Sequence, residues 1–314
     1  MIPENFKPML AISSDKVKTQ PLRQYCSIKL DGVRCLFFGG VAYSRTMKPL
    51  PNLQLQQLAK QHHEVLEGCD GEVIAGGIFD KGCLQRSVSF CMNADKEDDF
   101  TVYLFDKYHP TKPWLHRYFD LLDKEQQLPA RVKVLEHFYV RPSVPQIELF
   151  SLEFSNKLSW VNLELFEQEV LSNGGEGVVV RDAEGKYKLG RSGTKKPELQ
   201  KLKRMQDAEF EVVGYAQFEH NQNEAYTDEV GNTKRSTSKD GKVLLEQLGS
   251  LICKLTDGRT FNVGSGFTLE QRTSLWASKE LLVGKIAKVQ FFRYSPDGVP
   301  LLPVFLDFRH EMDM

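Results

Sequence analysis

Lys29 ends an apolar, β-rich run in YCSIKLDGVR (25–34), with Asp31, Gly32 and Arg34 directly after it. A lysine in that place is either a solvated residue beside a hairpin or an amine held still for chemistry. Taken alone the solvated reading is the commoner one. Other residues shift the balance. Between 181 and 204 stand nine cations (Arg181, Lys186, Lys188, Arg191, Lys195, Lys196, Lys201, Lys203, Arg204) against three anions, a net charge of +6. A charged run is ordinarily a solvated face. Here Lys201 and Lys203 alternate with Leu202, so on a strand both amines leave the same side, and two amines on one face suit a phosphate.

Two acids border strands. Glu72 follows an Asp-Gly turn in CDGEV, and Glu176 stands between glycines in GGEGVVVR, just ahead of an apolar strand. Each alone reads as a turn acid. Together, beside amines and with glycines clearing space around them, they point to a divalent cation, because Mg2+ is commonly held by one or two carboxylates plus substrate phosphates. In YLFDKY (103–108), Tyr103 and Phe105 share one face of a strand that runs into Asp106. Such a pair is usually core, but a ring at a strand end can stack on a purine base. The seven histidines show no ligand spacing, so no zinc site is expected. No G-x-x-x-x-G-K-[ST] loop occurs, and VGSGF (263–267) is too weak a signal for a dinucleotide site.

The elements that must position these residues fall into two styles. YCSIKL, VRCLFF and VAYSR read as antiparallel strands with a Gly39-Gly40 turn. Helices are expected over 50–62, 81–92, 113–127 and 160–175, and strands over 72–79, 101–106, 132–140 and 177–181, the last too apolar for a sheet edge. After about residue 206 the pattern becomes strands broken by Gly and Asp-Gly turns, with one short helix near 268–280. That suggests a small β-barrel, in which the polar stretch 219–242 reads as a long mobile loop. The expected fold class is α+β: a mixed first domain over 1–205 with mostly antiparallel sheets, and a barrel over 206–314.

The totals agree with a globular chain. It has 314 residues, 41% hydrophobic and 26% charged, with a net charge of −1, enough for about two domains. No run approaches the roughly 20 apolar residues of a membrane span, and MIPENFKPML lacks the layout of a secretory signal. Six cysteines without a C-x-x-C pair fit reduced thiols better than disulfides or zinc.

The order of the fragments is more specific than any one of them. K-x-D-G-x-R at 29–34, S-R at 44–45, D-G-E at 70–72, Y-x-F-D at 103–106, E-G-V-V-V-R at 176–181 and K-x-K at 201–203 follow one another along the chain. This resembles the nucleotidyltransferase superfamily of ATP-dependent DNA ligases, RNA ligases and mRNA capping enzymes. DAEFEVVG (207–214), KRSTSKDGK, FNVGSGF (261–267) and DGVPLLPVFLDFR (297–309) resemble the oligonucleotide-binding (OB) barrel of small DNA ligases. From about residue 22 onward the chain is similar to the minimal phage or bacterial type of ATP-dependent DNA ligase, without the large N-terminal DNA-binding domain of cellular enzymes.

The resemblance implies an adenylation domain followed by an OB-fold, and a role for each matching residue. Lys29 is the nucleophile that becomes adenylated. Arg34 and Arg45 contact the nucleotide or the nick. Glu72 binds the ribose or a metal, Phe105 stacks on adenine, and Glu176 binds metal. Lys201 and Lys203 hold the α-phosphate with Arg191 nearby. Ser27 and Ile28 meet the adenine edge through backbone groups, and Arg309 orients the pyrophosphate. ATP and Mg2+ (or Mn2+) are the implied cofactors. The implied partner is nicked double-stranded DNA without sequence preference, bound by a cytoplasmic monomer (in the host cytoplasm if phage-encoded). For Lys29 to attack, its amine must lose a proton, and the cations Arg34, Lys201 and Lys203, with a metal, are expected around it. Asp31-Gly32 is expected to turn the chain without a side chain blocking the nucleotide. Two positions depart from the pattern. Leu301 stands where small ligases often carry arginine, and His310 and Glu311 replace an aspartate-lysine pair after Arg309. An RNA ligase or capping-type enzyme is the alternative within the superfamily. A non-catalytic OB-fold nucleic-acid-binding protein is the alternative outside it.

Overall fold

The computed structural model describes residues 2–141, 160–203, 205–227, 233–236, 238–295 and 297–309. The chain divides into two compact units, the first holding 1–203 and the second made from residues after Lys203.

The first unit contains β1 (Ile12–Ser13), β2 (Gln24–Ile28), β3 (Val33–Phe38), β4 (Val41–Tyr43), β5 (Cys69–Ala75), β6 (Phe100–Lys107), β7 (Val132–Val134), β8 (Phe138–Val140), β9 (Trp160–Val161), β10 (Val178–Asp182) and β11 (Leu199–Leu202), with helices α1 (Leu53–Gln61), α2 (His63–Leu66), α3 (Cys83–Cys91), α4 (Trp114–Leu122) and α5 (Leu163–Ser172). The strands form two sheets, β4-β3-β5-β6-β7 and β1-β11-β10-β2-β8-β9. The first carries its helices on a core of Val33, Cys35, Val73, Val102 and Leu104 against Leu55 and Ala59 of α1, Phe90 of α3, and Trp114, Tyr118 and Leu121 of α4. The spacing of the α4 residues, i, i+4 and i+7, is one helical face. The second sheet packs Cys26, Val178 and Val180 on Phe166 and Val170 of α5. The side chain of Asn162 accepts from Glu164 N and Leu165 N at the start of α5, which satisfies donors that have no partner within the helix.

Several expected elements shift. The strand expected over 132–140 is two strands: β7 runs parallel to β6 in one sheet, and β8 pairs with β2 in the other. Residues 135–137 carry the chain between sheets, so an unbroken apolar run hides a change of partner. The helix expected over 160–175 starts at Leu163, because Trp160 and Val161 pair with β8. Asp70-Gly71 is no turn. Both residues lie inside β5, paired with β3 and β6.

In the second unit, β12 (Gln206–Asn221), β13 (Ala225–Thr227), β14 (Thr233–Arg235), β15 (Lys242–Lys254), β16 (Thr260–Val263), β17 (Ile286–Phe291) and β18 (Val304–Phe308) accompany α6 (Leu269–Ala277). The sheet order is β16-β15-β12-β17-β18. Its two ends meet where Phe305 N donates to Ser265 O at 2.8 Å, next to a parallel bridge from Ser265 to Val304, so the strip closes into a barrel. Val212, Leu251, Cys253, Val263, Val289 and Phe291 fill its interior. The loop expected over 219–242 contains strand among its described residues: β12 continues to Asn221, β13 pairs with β14, and β15 begins at Lys242, while 228–232 and 237 lie outside the described residues. A two-stranded arm is held by backbone bonds and has little core to fill, so its residues lack the apolar alternation that marks a half-buried strand. No helix among the described residues is long and apolar enough to cross a membrane.

Candidate active site

A cavity of about 300 Å3 opens in the first unit. Its wall includes Ser27, Ile28, Lys29, Arg34, Arg45, Glu72, Phe105, Arg191 and Lys201, together with Leu10, Ala11, Leu135, Val179 and Arg181. Residues from six strands and five other segments therefore converge on one volume.

Lys29 follows the last residue of β2, and its backbone N–H donates to Gly177 O at 2.9 Å. That bond fixes the start of the lysine side chain against the entry to β10. Gly177 has φ +145°, and a Cβ there would lie 2.3 Å from Leu202 O. Only glycine allows β10 and β11 to approach this closely. Gly32 answers to packing of the same kind. A Cβ would lie 2.3 Å from Val73 O, so the glycine is required by the neighbouring strand β5, and the expectation that it clears room for a nucleotide is corrected.

The surroundings of the amine also differ from expectation. Lys29 Nζ donates to Glu176 Oε2, and Lys203 Nζ donates to Glu176 Oε1 at 2.8 Å. The nearest charge to the Lys29 amine is thus an anion, and Glu176 is a carboxylate shared by two ammonium groups. Burial opposes its charge, but Lys29 and Lys203 outweigh burial and hold Glu176 below the usual carboxylate range. Lys201 pairs in register with Val179 of β10 and lines the cavity, while Leu202 between the two lysines packs on the other side of the sheet with Val178 and Phe166. Burial, then Lys29 and Lys203, hold Lys201 below the usual lysine range.

Glu72 stands in β5 opposite Arg34 of β3. Burial pushes its carboxyl up to about 7, against the pull of Arg34 and Lys29. Arg34 is committed elsewhere. It grips Asp70, with Nη2 to Oδ2 at 2.6 Å and Nε to Oδ1, and also donates to Met9 O at 3.3 Å. Tyr187 donates to the same Asp70 at 2.6 Å. Asp70, expected only as a turn residue, is thus the buried anchor of Arg34. The guanidinium of Arg34 also lies 4.7 Å from the centroid of Phe105. Arg45 and Arg191 stand at the exposed side of the cavity, and Arg191 donates to Ala11 O at 3.1 Å. That segment, Leu10 and Ala11, lies before the region where the sequence resemblance begins. It reaches the wall because β1 pairs with β11.

Arg309 is not in the wall. It belongs to the second unit, where it donates to Glu209 at 2.9 Å. His310 and Glu311 fall outside the described residues. The basic run 181–204 is not one face either. Arg181 is buried in the wall against Asp106, while Arg191 is exposed. The resemblance gave no role to Arg181 or Asp106, although both stand in motifs that carry it.

The site fits a nucleotide. It offers an amine, Lys201 for a phosphate with Lys203 next to the wall on Glu176, an aromatic ring, and an apolar floor of Leu10, Val179 and Leu199. Among the described residues no group of three or more His, Cys, Asp or Glu side chains is placed to hold a metal, so any divalent ion needs oxygens from a ligand. Glu72 is a carboxyl short of counter-charge, and in that respect it fits a cation that phosphate oxygens complete.

A nucleotide-sized cavity around a lysine in a two-sheet unit, followed by a closed five-stranded barrel, defines the class: a nucleotidyltransferase-type ligase fold. The chain belongs to the ATP-dependent DNA ligase family, whose ligase domain model matches residues 8–203. The model for a DNA ligase OB-like domain matches 241–309. DNA ligases of African swine fever virus isolates from Kenya and Malawi are each 27% identical over 218 residues, covering 64% of this chain and 45% of theirs. The chain spans about half the length of the curated relatives it matches. A solved structure from a study of Lig E DNA ligases superimposes with TM-score 0.67, covering 96% of this chain and 99% of its own. At 19% identity that likeness is one of fold.

Proposed function

We propose that the chain seals nicks in duplex DNA through a covalent lysine–AMP intermediate, using ATP and Mg2+ or Mn2+. The observation that carries this reading is Lys29 in the cavity wall, its amine on Glu176 and its neighbours Lys201 and Lys203 on the same strand face. Lys29 Nζ gives up a proton and attacks the α-phosphorus of ATP. A P–N bond forms as the bond to the pyrophosphate oxygen breaks. The AMP then passes to a DNA 5′-phosphate, releasing the lysine. The neighbouring 3′-hydroxyl attacks that phosphate, loses its proton and expels AMP. In each step the chain's part is positioning and charge neutralisation. The sheet fixes the amine, Lys201 and Lys203 meet the phosphate oxygens, and Phe105 lies under the base. A divalent ion held by Glu72 and Glu176 would neutralise phosphate charge.

The two units act as adenylation domain (1–205) and OB-fold DNA-binding domain (206–314) of a monomer. Contacts to phosphates carry no sequence information, so any nick serves. Six free buried cysteines suit a reducing compartment such as the cytoplasm.

The test is incubation with ATP labelled on the α-phosphate, followed by nicked duplex substrates. Wild type should become labelled and seal nicked DNA, and Lys29→Ala should do neither. An unlabelled wild-type protein would refute the reading, and sealing of nicked RNA in preference to DNA would move the chain to the RNA-joining branch.

A further inference from the structure

Tyr187 stands outside the cavity wall, yet it joins two parts of that wall. It lies between β10 and β11 and is 5% exposed. Its ring packs among Phe6, Phe38 and Tyr108, with centroids 6.0 Å from Phe6 and 5.3 Å from Tyr108. A phenylalanine would fill that place equally well. The hydroxyl reaches out of the aromatic cluster, donating to Asp70 Oδ2 at 2.6 Å and accepting from Met9 N at 3.4 Å. Burial and the nearby Asp70 raise the phenol well above its ordinary range, so it keeps the proton it donates.

Asp70 does not need Tyr187 for charge balance. It is fully buried, and the fork of Arg34 already matches it, with Nη2 on Oδ2 at 2.6 Å and Nε on Oδ1. What the hydroxyl adds is geometry. Met9 N–H donates to Tyr187, and Tyr187 donates to Asp70. Arg34 Nη2 donates to the same Asp70 oxygen and also to Met9 O at 3.3 Å. These bonds close a ring that engages both backbone groups of Met9. Met9 is buried, so its N–H needs an acceptor. A buried polar network with every member satisfied is rigid and holds one arrangement.

Two members of the ring border the cavity. Arg34 lines it, and among the described residues nothing accepts from Arg34 Nη1, which leaves that nitrogen for a ligand. Leu10 and Ala11 follow Met9 and line the cavity as well. Leu10 N donates to Gly190 O and Ser192 N donates to Leu10 O, each at 2.8 Å. The segment that carries Tyr187 therefore pins the chain on both sides of Met9. A shift of Met9 would move the apolar floor, and a turn of Asp70 would swing Arg34.

We propose that Tyr187 is a positioning residue of the nucleotide site: its hydroxyl aims Arg34 through Asp70 and seats Leu10 and Ala11 in the wall through Met9. The inference rests on the reading of the cavity as an ATP site. The experiment measures covalent labelling of Lys29 over a range of ATP concentrations in wild type, Tyr187→Phe, Arg34→Lys and the double variant, with thermal melts alongside. Tyr187→Phe keeps the ring and should melt cooperatively above the assay temperature. Small misplacements of binding groups are costly, so its kcat/KM for labelling should fall about tenfold. The loss should stand mainly in KM for ATP, because Arg34 and Leu10 meet the nucleotide before it reacts. Residues of one network do not act independently, so the double variant should lose less than the product of the two single losses. An unchanged kcat/KM in folded Tyr187→Phe, a loss confined to kcat, or single losses that simply multiply would overturn the assignment. So would a Tyr187→Phe protein that fails to fold, since the hydroxyl would then be holding up the first unit as a whole. No labelling of wild type by ATP would instead remove the reading beneath it.

Discussion

Asp106→Asn tests the charge arithmetic of the cavity wall. Asp106 is buried on β6 and accepts from Arg117 Nε at 2.7 Å, Arg117 Nη2 at 3.1 Å, Arg181 Nη1 at 2.8 Å and its neighbour Lys107 N at 2.8 Å. Burial works against its charge, and Arg117 and Arg181 more than offset it, holding Asp106 below the usual carboxylate range. Asparagine keeps one acceptor oxygen, turns an amide donor toward a guanidinium, and leaves two buried cations without an anion. Breaking a buried ion pair on one side costs about 3–5 kcal/mol. At about 2–4 °C per kcal/mol for a unit of this size, the first unit should melt roughly 6–20 °C lower. Arg181→Met should do the opposite of what a simple count of lost ion pairs suggests. It removes the surplus charge, leaves Asp106 and Arg117 matched, and should cost less than about 2 kcal/mol. Differential scanning calorimetry on both variants reads the two effects, with the second unit as an internal reference. If Arg181→Met proved the more damaging, the view of Arg181 as an excess cation would be wrong. The pH dependence has a definite sign. A carboxyl held below its ordinary value stabilises the fold at all pH above that value, and the stability is lost as pH falls through the lowered one. Wild type should therefore lose stability below about pH 4, and Asp106→Asn should lack that part of the acid limb.

Gly177→Ala should abolish lysine labelling without unfolding the barrel, because a Cβ 2.3 Å from Leu202 O pushes β11 and its lysines out of register; labelling at the wild-type rate would show that the strands can part freely. Glu72 has its carboxyl raised to about 7, so its contribution to stability is present below its ordinary value and lost as pH rises through 7. Melting temperature should thus decline between pH 5 and pH 8, less steeply in Glu72→Gln, and identical slopes would exclude Glu72 as the cause. All six cysteines are buried, and burial pushes Cys69, Cys91 and Cys253 up to about 12. A thiol reagent at neutral pH should find no fast-reacting group in the native protein and six after denaturation.

Local pattern made a good part of this molecule readable. The run before Lys29 reads as a strand because Tyr25, Cys26 and Ile28 make it apolar and suited to a sheet, and GVVVR lies in a sheet interior because it has no polar face. Lys201 and Lys203 share a side because strand geometry has period two, a rule that needs no knowledge of the rest of the chain. The order of the short motifs carries the resemblance to the nucleotidyltransferase superfamily.

What tertiary structure decided are the relations between residues far apart in sequence. Glu176 is the partner of Lys29 across 147 positions, an anion set among the cations expected around that amine. Asp70 looks like a turn because Asp-Gly usually is one, yet β3 and β6 on either side make it strand, and Arg34 and Tyr187 make it an anchor. The break at 135–137 and the entry of Leu10 and Ala11 into the wall depend on which strands pair, and pairing over such separations leaves no period in the sequence. Arg181 shows the limit most clearly. In the sequence it is one cation among nine, and only burial and the shared claim with Arg117 on Asp106 single it out.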